Sequence, residues 1–357
     1  MYIIIMAGGG GTRLWPKSRI KKPKQLQAIL GKESMIKNTV ARFSPLVPIE
    51  NIYIATNREQ AKELKKELPD FKNLIIEPVM RNTGPCVGLG ATLLAKKTDE
   101  PVAFLPADHY IGNPAEFRRV LKTAFSVAKE NRLVTIGIKP TDPDTGMGYI
   151  KINPKSTFEQ SESAAKAEFQ NPKFFEVDKF IEKPDKKNAE KFVKSGQHFW
   201  NAGMFIGRPS VILDLFKKHA PKIYNHLEII AKNPRKLESE YKKIENISID
   251  YAIAEKAKNL MMVPGEFDWS DIGNWGRLLE KLSRAVGENV VIGCKHYGID
   301  TAGCLIHGTE RVVATIGVKD IIVIDTPDAV LVCHKDKAQD VKKIVETIRA
   351  EKKHHLL

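Results

Sequence analysis

An apolar run, Tyr2-Ile3-Ile4-Ile5, opens directly into four consecutive glycines, Gly8 to Gly11. A short run rich in β-branched residues predicts a buried strand, so the glycines fall at that strand's carboxyl end. The figure then repeats. Residues 51–56, 74–77 and 102–105 read as further strands, the last running into Pro106-Ala107-Asp108-His109. Between and after them, residues 34–43 (with Ser34 as N-cap), 60–68, 87–96 and 117–130 carry helical patterns. Strands alternating with helices at this spacing predict a mostly parallel α/β sheet covered on both faces. Such sheets bind ligands beyond the carboxyl ends of their strands. The glycine run and Asp108 both fall at such ends.

Glycine lets backbone N–H groups turn toward an anion and lets the anion come close. Arg13 and Lys24 add fixed positive charge beside Gly8, Gly9, Gly10 and Gly11. No Gly-Lys-Ser/Thr triplet follows, so this is not a P-loop, and Arg13 stands where a Gly-x-Gly-x-x-Gly fingerprint needs its third glycine. The stretch reads as a cradle for a nucleoside triphosphate.

The chain has 357 residues, enough for two domains, and a net charge of +14. Its lysines are scattered without interleaved aromatics, which argues against nucleic acid; a positive field instead draws in nucleotides and sugar phosphates. No apolar run approaches the roughly 20 residues that cross a bilayer, and no basic region or cleavage site marks a signal peptide. Cys86, Cys294, Cys304 and Cys333 show no CxxC spacing and read as thiols of a cytoplasmic protein.

Further along, Glu77-Pro78-Val79-Met80-Arg81-Asn82-Thr83-Gly84-Pro85 reads either as a loop with a helix cap at Asn82 or Thr83, or as a loop contacting base and ribose. Asp108 is either a turn residue or a metal ligand, since a carboxylate at the end of a buried strand needs a partner; His109 reads as a structural hydrogen-bonding group. Gly146 and Gly148, in the loop that leads into Tyr149, either mark an ordinary turn or let a sugar ring approach the backbone. Residues 153–173 read as a surface loop or hairpin tip. Alternation along residues 177–183 puts Glu182 and Lys183 on opposite faces of a strand that Pro184 ends. The two are an edge charge pair, or a hydroxyl acceptor and a phosphate cation. Asn201 and Gly203 flank the expected start of another strand, with Trp200 and Phe205 in the core. Residues 224–245 read as a solvated helical layer, and Asp250 as a first-turn residue suiting the helix dipole. Asp271 precedes a helix, as an N-cap or a second metal carboxylate. From residue 289 onward, short β-runs separated by turns suggest a stacked module or small sandwich, closed by a helix over 337–353.

The Thr12-Arg13-Leu14-Trp15-Pro16 form of the glycine loop resembles the sugar-nucleotide pyrophosphorylases, in the version of the mannose-1-phosphate guanylyltransferases. The Glu-Pro-x-x-Arg-Asn-Thr-x-Pro segment at residues 77–85 and Phe180-Ile181-Glu182-Lys183-Pro184 are similar to motifs of the same family, in the family's order. The resemblance spans roughly residues 2–335. It implies a Rossmann-like, GT-A-like nucleotidyltransferase domain over residues 1–285 and a left-handed β-helix-like module over 286–357 that serves dimer contacts. It further implies transfer of GMP from GTP to α-D-mannose 1-phosphate with Mg²⁺. Nucleotide binding would fall to Ala7, Gly8, Gly9, Gly10, Gly11, Thr12, Arg13, Lys24, Asn82, Thr83, Gly84 and Asp108. The sugar phosphate would be met by Gly148, Tyr149, Glu182, Lys183, Asn201 and Gly203, and the metal by Asp108 and Asp271. Arg13, Lys24, Asp108 and Lys183 would carry the catalysis. A homodimer is expected, with neither nucleic acid nor membrane as partner. Two other readings stay open: a pyrophosphorylase of another base and hexose, and a non-catalytic GTP-binding protein.

Overall fold

The computed structural model describes residues 1–9, 12–159 and 173–357. β1 (Tyr2–Met6) lies between β2 (Ile52–Asn57) and β4 (Val102–Pro106), with β3 (Leu74–Glu77) outside β2, and all these pairs are parallel. This is the parallel arrangement expected from the strand–helix alternation. The sheet continues with antiparallel neighbours that the alternation does not predict. β9 (His198–Gly207) sits antiparallel between β4 and β6 (Leu133–Ile138). β10 (Leu260–Gly265) is parallel to β6, and β8 (Lys173–Ile181) and β7 (Tyr149–Glu159) close the nine-stranded order 3-2-1-4-9-6-10-8-7. β7 and β8 form the long hairpin expected around residues 153–173, whose tip lies outside the described residues.

Two apolar clusters cover the sheet. One packs α1 (Met35–Phe43) and α4 (Pro114–Ala128) on one face; the other packs α3 (Thr83–Leu94), α6 (Pro209–His219) and α7 (Pro221–Lys232) on the opposite face. Ser34 precedes α1 as expected, but its hydroxyl makes no capping bond. The stretch 224–245 is not a solvated layer throughout: it breaks after α7, and Tyr241 is fully buried. The cause is a polar partner, described below, that reaches into the sheet edge.

In the C-terminal part, β12 (Val290–Ile292), β14 (Leu305–His307) and β16 (Ile321–Asp325) stack in parallel, and β13 (His296–Ile299) stacks on β15 (Val313–Ile316). Val290 lies beside Leu305 and Leu305 beside Ile322, so successive coils advance by 15 and 17 residues. Unequal coils explain why no six-residue repeat is visible in the sequence. β17 (Val330–His334) turns back antiparallel on β16, and α11 (Val341–Ala350) follows. A third apolar cluster joins this module to Leu14, Trp15 and α10 (Trp275–Leu282).

Candidate active site at the carboxyl ends of the strands

The strand order reverses at β1, and the crevice that this opens holds a cavity of about 420 Å³ lined by Gly8, Gly9, Glu77, Asn82, Thr83 and Asp108 among others. Gly10 and Gly11 lie outside the described residues. The stem of the loop is pinned from below. The buried Gln25 amide donates to the Ala7 and Gly9 carbonyls (3.0 and 3.3 Å), and Thr56 Oγ1 donates to the Ala7 carbonyl (3.1 Å). Ala7 thus anchors the loop through its backbone, while the glycine backbone faces the cavity.

Lys24 is the centre of the crevice. It is 5% exposed, and its Nζ donates to Asp108 Oδ2 at 2.9 Å and to the Asp271 backbone carbonyl at 2.5 Å. Burial pushes the Asp108 carboxyl up, but the Lys24 ammonium outweighs it and holds the group below its ordinary value, so it is ionised. Register explains why residues so far apart in the chain meet. β5 (Tyr110–Ile111) pairs antiparallel with β11 (Trp269–Ser270), with Ser270 opposite Tyr110. Continuing that ladder sets Asp271 opposite His109, one residue from Asp108. His109 takes the structural role expected of it: its Nδ1 accepts from Trp269 Nε1 at 3.1 Å, and burial lowers its pKa to about 4, leaving it neutral.

Asp271 is not the cap of α10; Asn274 is. Asp271 Oδ1 accepts from the Gly273 N–H at 3.2 Å. A Cβ built on Gly273 would lie 3.0 Å from Asp271 Oδ2 and 3.6 Å from an Arg13 Nη, so the exposed Arg13 guanidinium and the Asp271 carboxylate stand on the same side of that glycine. Among the described residues no three His, Cys, Asp or Glu side chains are grouped to hold an ion. Asp108 and Asp271 nevertheless offer hard oxygen donors on one strand pair. They fit a Mg²⁺ whose other ligands are phosphate oxygens and water.

On the base side each of the expected residues already bonds to protein. Asn82 is the cap of α3: it has φ +69°, and its Oδ1 accepts from the Thr83 N–H at 2.8 Å. Thr83 Oγ1 accepts from the Ile249 N–H, and the Gly84 N–H donates to the Ile247 carbonyl. A Cβ at Gly84 would come within 2.7 Å of that carbonyl. Gly84 is therefore a packing residue rather than a base contact. The group missed from the sequence is Glu77, 4% exposed, which accepts from the Tyr241 hydroxyl at 2.6 Å. Burial raises its pKa, against the bonds from Tyr241 and Cys86. An acidic residue closing an apolar strand was the available signal, the same one that marks Asp108.

The second half of the site lies across β9. Gly203, at φ +66°, faces Pro106, which also lines the cavity, so the two halves abut. Asn201 and Gly203 fall inside β9 rather than at its start. Asn201 is a hub: Oδ1 accepts from Thr135 Oγ1 (2.9 Å) and the Gly203 N–H (3.1 Å), and Nδ2 donates to Asp250 Oδ1 at 2.9 Å. One amide hydrogen remains for a ligand. Asp250 therefore belongs to the site instead of serving only the helix dipole; burial, and then Glu182, raise its pKa to about 6. Glu182 and Lys183 are not on opposite faces. β8 ends at Ile181, Lys183 turns to φ +45°, and its Nζ donates to Glu182 Oε1 at 2.7 Å. A Cβ on Gly148 would lie 2.5 Å from Glu182 Oε2, so any larger residue there would displace that carboxylate. Tyr149 is fully buried, its hydroxyl on the Asp144 carbonyl, and takes no part in a ligand surface. Arg277 ties this loop to α10, with bonds to both Asp142 oxygens (2.9 and 3.0 Å) and to Asp144 (2.7 Å).

An α/β fold with a glycine loop, a buried lysine–carboxylate pair and an adjoining acidic–basic cluster defines a nucleotide-handling transferase. Residues 2–286 match the family described as nucleotidyl transferase, and residues 294–348 match the MannoseP isomerase/GMP-like beta-helix domain. The chain belongs to the nucleotidyl transferase family. Mannose-1-phosphate guanylyltransferase of Escherichia coli K12 is 36% identical, over 99% of this chain and 74% of that protein. Alginate biosynthesis protein AlgA of Pseudomonas fluorescens is 35% identical over the same shares. A Thermus thermophilus crystal structure, described as a mannose-1-phosphate geranyltransferase, superposes with a TM-score of 0.89 at 35% identity and covers 98% of this chain and 99% of that one.

Proposed function

We propose that the enzyme transfers GMP from GTP to α-D-mannose 1-phosphate, giving GDP-mannose and pyrophosphate. The observation that carries this reading is buried Lys24, which joins Asp108, on the wall of the glycine-loop cavity, to the backbone of Asp271. A phosphate oxygen of the sugar phosphate attacks the α-phosphorus of GTP in line. The bond from that phosphorus to the β-bridging oxygen breaks, and pyrophosphate leaves on the opposite side. The nucleophile is already an oxyanion, so the protein's work is positioning and charge stabilisation.

The loop amides with Arg13 and Lys24 hold the triphosphate and the leaving group. A Mg²⁺ held by Asp108 and Asp271 with phosphate oxygens would neutralise charge that develops on the pyrophosphate. The Glu77 carboxylate, on the cavity wall beside Asn82, is the acceptor that suits the N1–H and N2–H edge of guanine. Lys183 binds the sugar's phosphate, and Glu182, Asn201 and Gly148 the ring. The working form is a cytoplasmic homodimer, a reading supported by the exposed apolar side chains Tyr297, Ile299 and Ile316 on the β13–β15 pair.

The test is pyrophosphate release with each of the four nucleoside triphosphates against a panel of hexose 1-phosphates, with and without Mg²⁺. Release confined to GTP with mannose 1-phosphate and dependent on the ion is the expected result. GTP binding with no release would leave a binding protein, and preference for another pair would reassign the substrates.

A further inference from the structure

We propose that the C-terminal β-module positions the nucleotide loop, and that Arg19 is the side chain through which it does so. The inference rests on the reading of the glycine loop as a triphosphate cradle and adds a requirement to it.

Arg13 is carried by a segment with little secondary structure of its own, a single turn over Thr12–Leu14. What fixes that segment is the module. Leu14 and Trp15 are 1% and 7% exposed, in a cluster with Leu305, Ile322, Leu331 and Val341 of the module and Trp275 of α10. Trp15 Nε1 donates to the Leu356 carbonyl at 2.8 Å, and Trp275 Nε1 donates to the Trp15 carbonyl at 2.9 Å. Arg19 then closes the arrangement with every face of its guanidinium. Nε donates to the Pro16 carbonyl (2.6 Å), one Nη to the Leu356 carbonyl, and the other Nη to Asp328 Oδ1 (2.7 Å), while the group lies 5.5 Å over the Trp15 ring.

One side chain therefore binds three separate stretches: the end of the nucleotide loop, the turn between β16 and β17, and the segment after α11. It is 14% exposed, unlike an ordinary surface ion-pair residue. A planar fork of five donors makes such a span; a lysine ammonium on a flexible stem does not. α10 leans on the same cluster and begins four residues after Asp271. The module thus sets the loop bearing Arg13 and the arm bearing Asp271 against one common wall. An ångström of error in such a setting is costly in a reaction that depends on positioning. Arg19 is a positioning residue and touches no reacting group.

The experiment compares Arg19→Ala, Arg19→Lys, Asp328→Asn and Trp15→Phe in the full chain. The readouts are GTP Kd by calorimetry, KM for each substrate, melting temperature, and amide hydrogen exchange over residues 12–18. Loss of the three-way tie should raise the GTP Kd about 5- to 10-fold in Arg19→Ala, the effect of one or two net hydrogen bonds. KM for mannose 1-phosphate should stay within about 2-fold, because the sugar side meets this cluster through Arg277 of α10, whose bonds to Asp142 and Asp144 do not involve Arg19. Lysine at position 19 should not rescue. Asp328→Asn and Trp15→Phe should move GTP binding the same way by less, and exchange over residues 12–18 should quicken in the same order. Wild-type GTP affinity and exchange in a folded Arg19→Ala would overturn the proposal, as would equal weakening of both substrates or a fall in melting temperature alone. Should Arg19→Ala not fold, the two milder variants decide by the same criteria. The exchange readout needs no turnover, so an enzyme that fails to release pyrophosphate from GTP would defeat the reaction proposed above without touching this one.

Discussion

The two halves of the cleft are built on different principles. The nucleotide half is backbone and open space: a glycine loop at the end of β1, a cavity, and charged side chains at its rim. The sugar half is side chains knitted to one another: Asn201 to Thr135 and Asp250, Lys183 to Glu182, Arg277 to Asp142 and Asp144. The difference follows from what each must recognise. A polyphosphate is met by amides and cations, because its charge is spread over many oxygens. Hydroxyl stereochemistry is read only by donors and acceptors whose directions are fixed in advance. Loss of a charge-stabilising group from the first half should therefore appear in the rate of the chemical step, displacement of its loop in the affinity for GTP, and damage to the second half in the affinity for the sugar phosphate.

The largest effect should come from Arg13→Ala. Arg13 is exposed and its loss leaves no buried partner, so the fold survives. Removing a charge-stabilising donor of this kind should lower kcat by about 10²–10³. A variant with unchanged turnover would remove Arg13 from the reaction and shift its assigned work to Lys24. Next is Gly148→Ala on the other side. Its Cβ would sit 2.5 Å from Glu182 Oε2, the far end of a flexible side chain that can move away with its partner Lys183. The chain should fold, and KM for mannose 1-phosphate should rise about 10-fold while GTP binding is unaltered, a loss of roughly one charge-assisted hydrogen bond. Parallel losses for both substrates would mean that the halves are not separable.

The contrast between the halves also governs what the sequence reveals. Features of the nucleotide half are local: a glycine run after an apolar strand, or a carboxylate where a buried strand ends, can be seen within ten residues, and Gly8, Lys24 and Asp108 do meet in one crevice. Register is not visible in that way: the resemblance pairs Asp108 with Asp271, but the reason the two lie close is the β5–β11 pairing. On the sugar side each role depends on distant partners. Nothing near Asp250 announces that Asn201 donates to it. Tyr149 is a ligand contact by the resemblance, yet it is buried. Gly84 looks like a base donor, but its N–H is taken by the Ile247 carbonyl. Glu77 was open to the argument that marked Asp108. Its partner Tyr241, 164 residues away, was not, and the lysine-rich helix around that tyrosine gave no hint of burial.

The smallest effect is the most specific to the knitted half. Asp250 lies among Asn201, Glu182, Lys183 and Ser248, and its pKa is raised from 3.8 to about 6, first by burial and then by Glu182. A carboxyl raised in the folded state takes up its proton more readily there than in the unfolded chain. Its contribution to stability is therefore full below the unfolded value and is lost as pH rises through the folded one. Asp250→Asn keeps an acceptor for Asn201 and cannot ionise. The stability of that variant relative to the parent should grow between about pH 4 and pH 6 and level off above, reaching roughly 1 kcal/mol once solvent screening of a half-buried group is allowed for. Thermal melts of both proteins from pH 4 to pH 8 measure it. A difference that stays flat across that range would mean that Asp250 titrates as an ordinary surface carboxylate, and the sugar half would then be less tightly knit than its hydrogen bonds indicate.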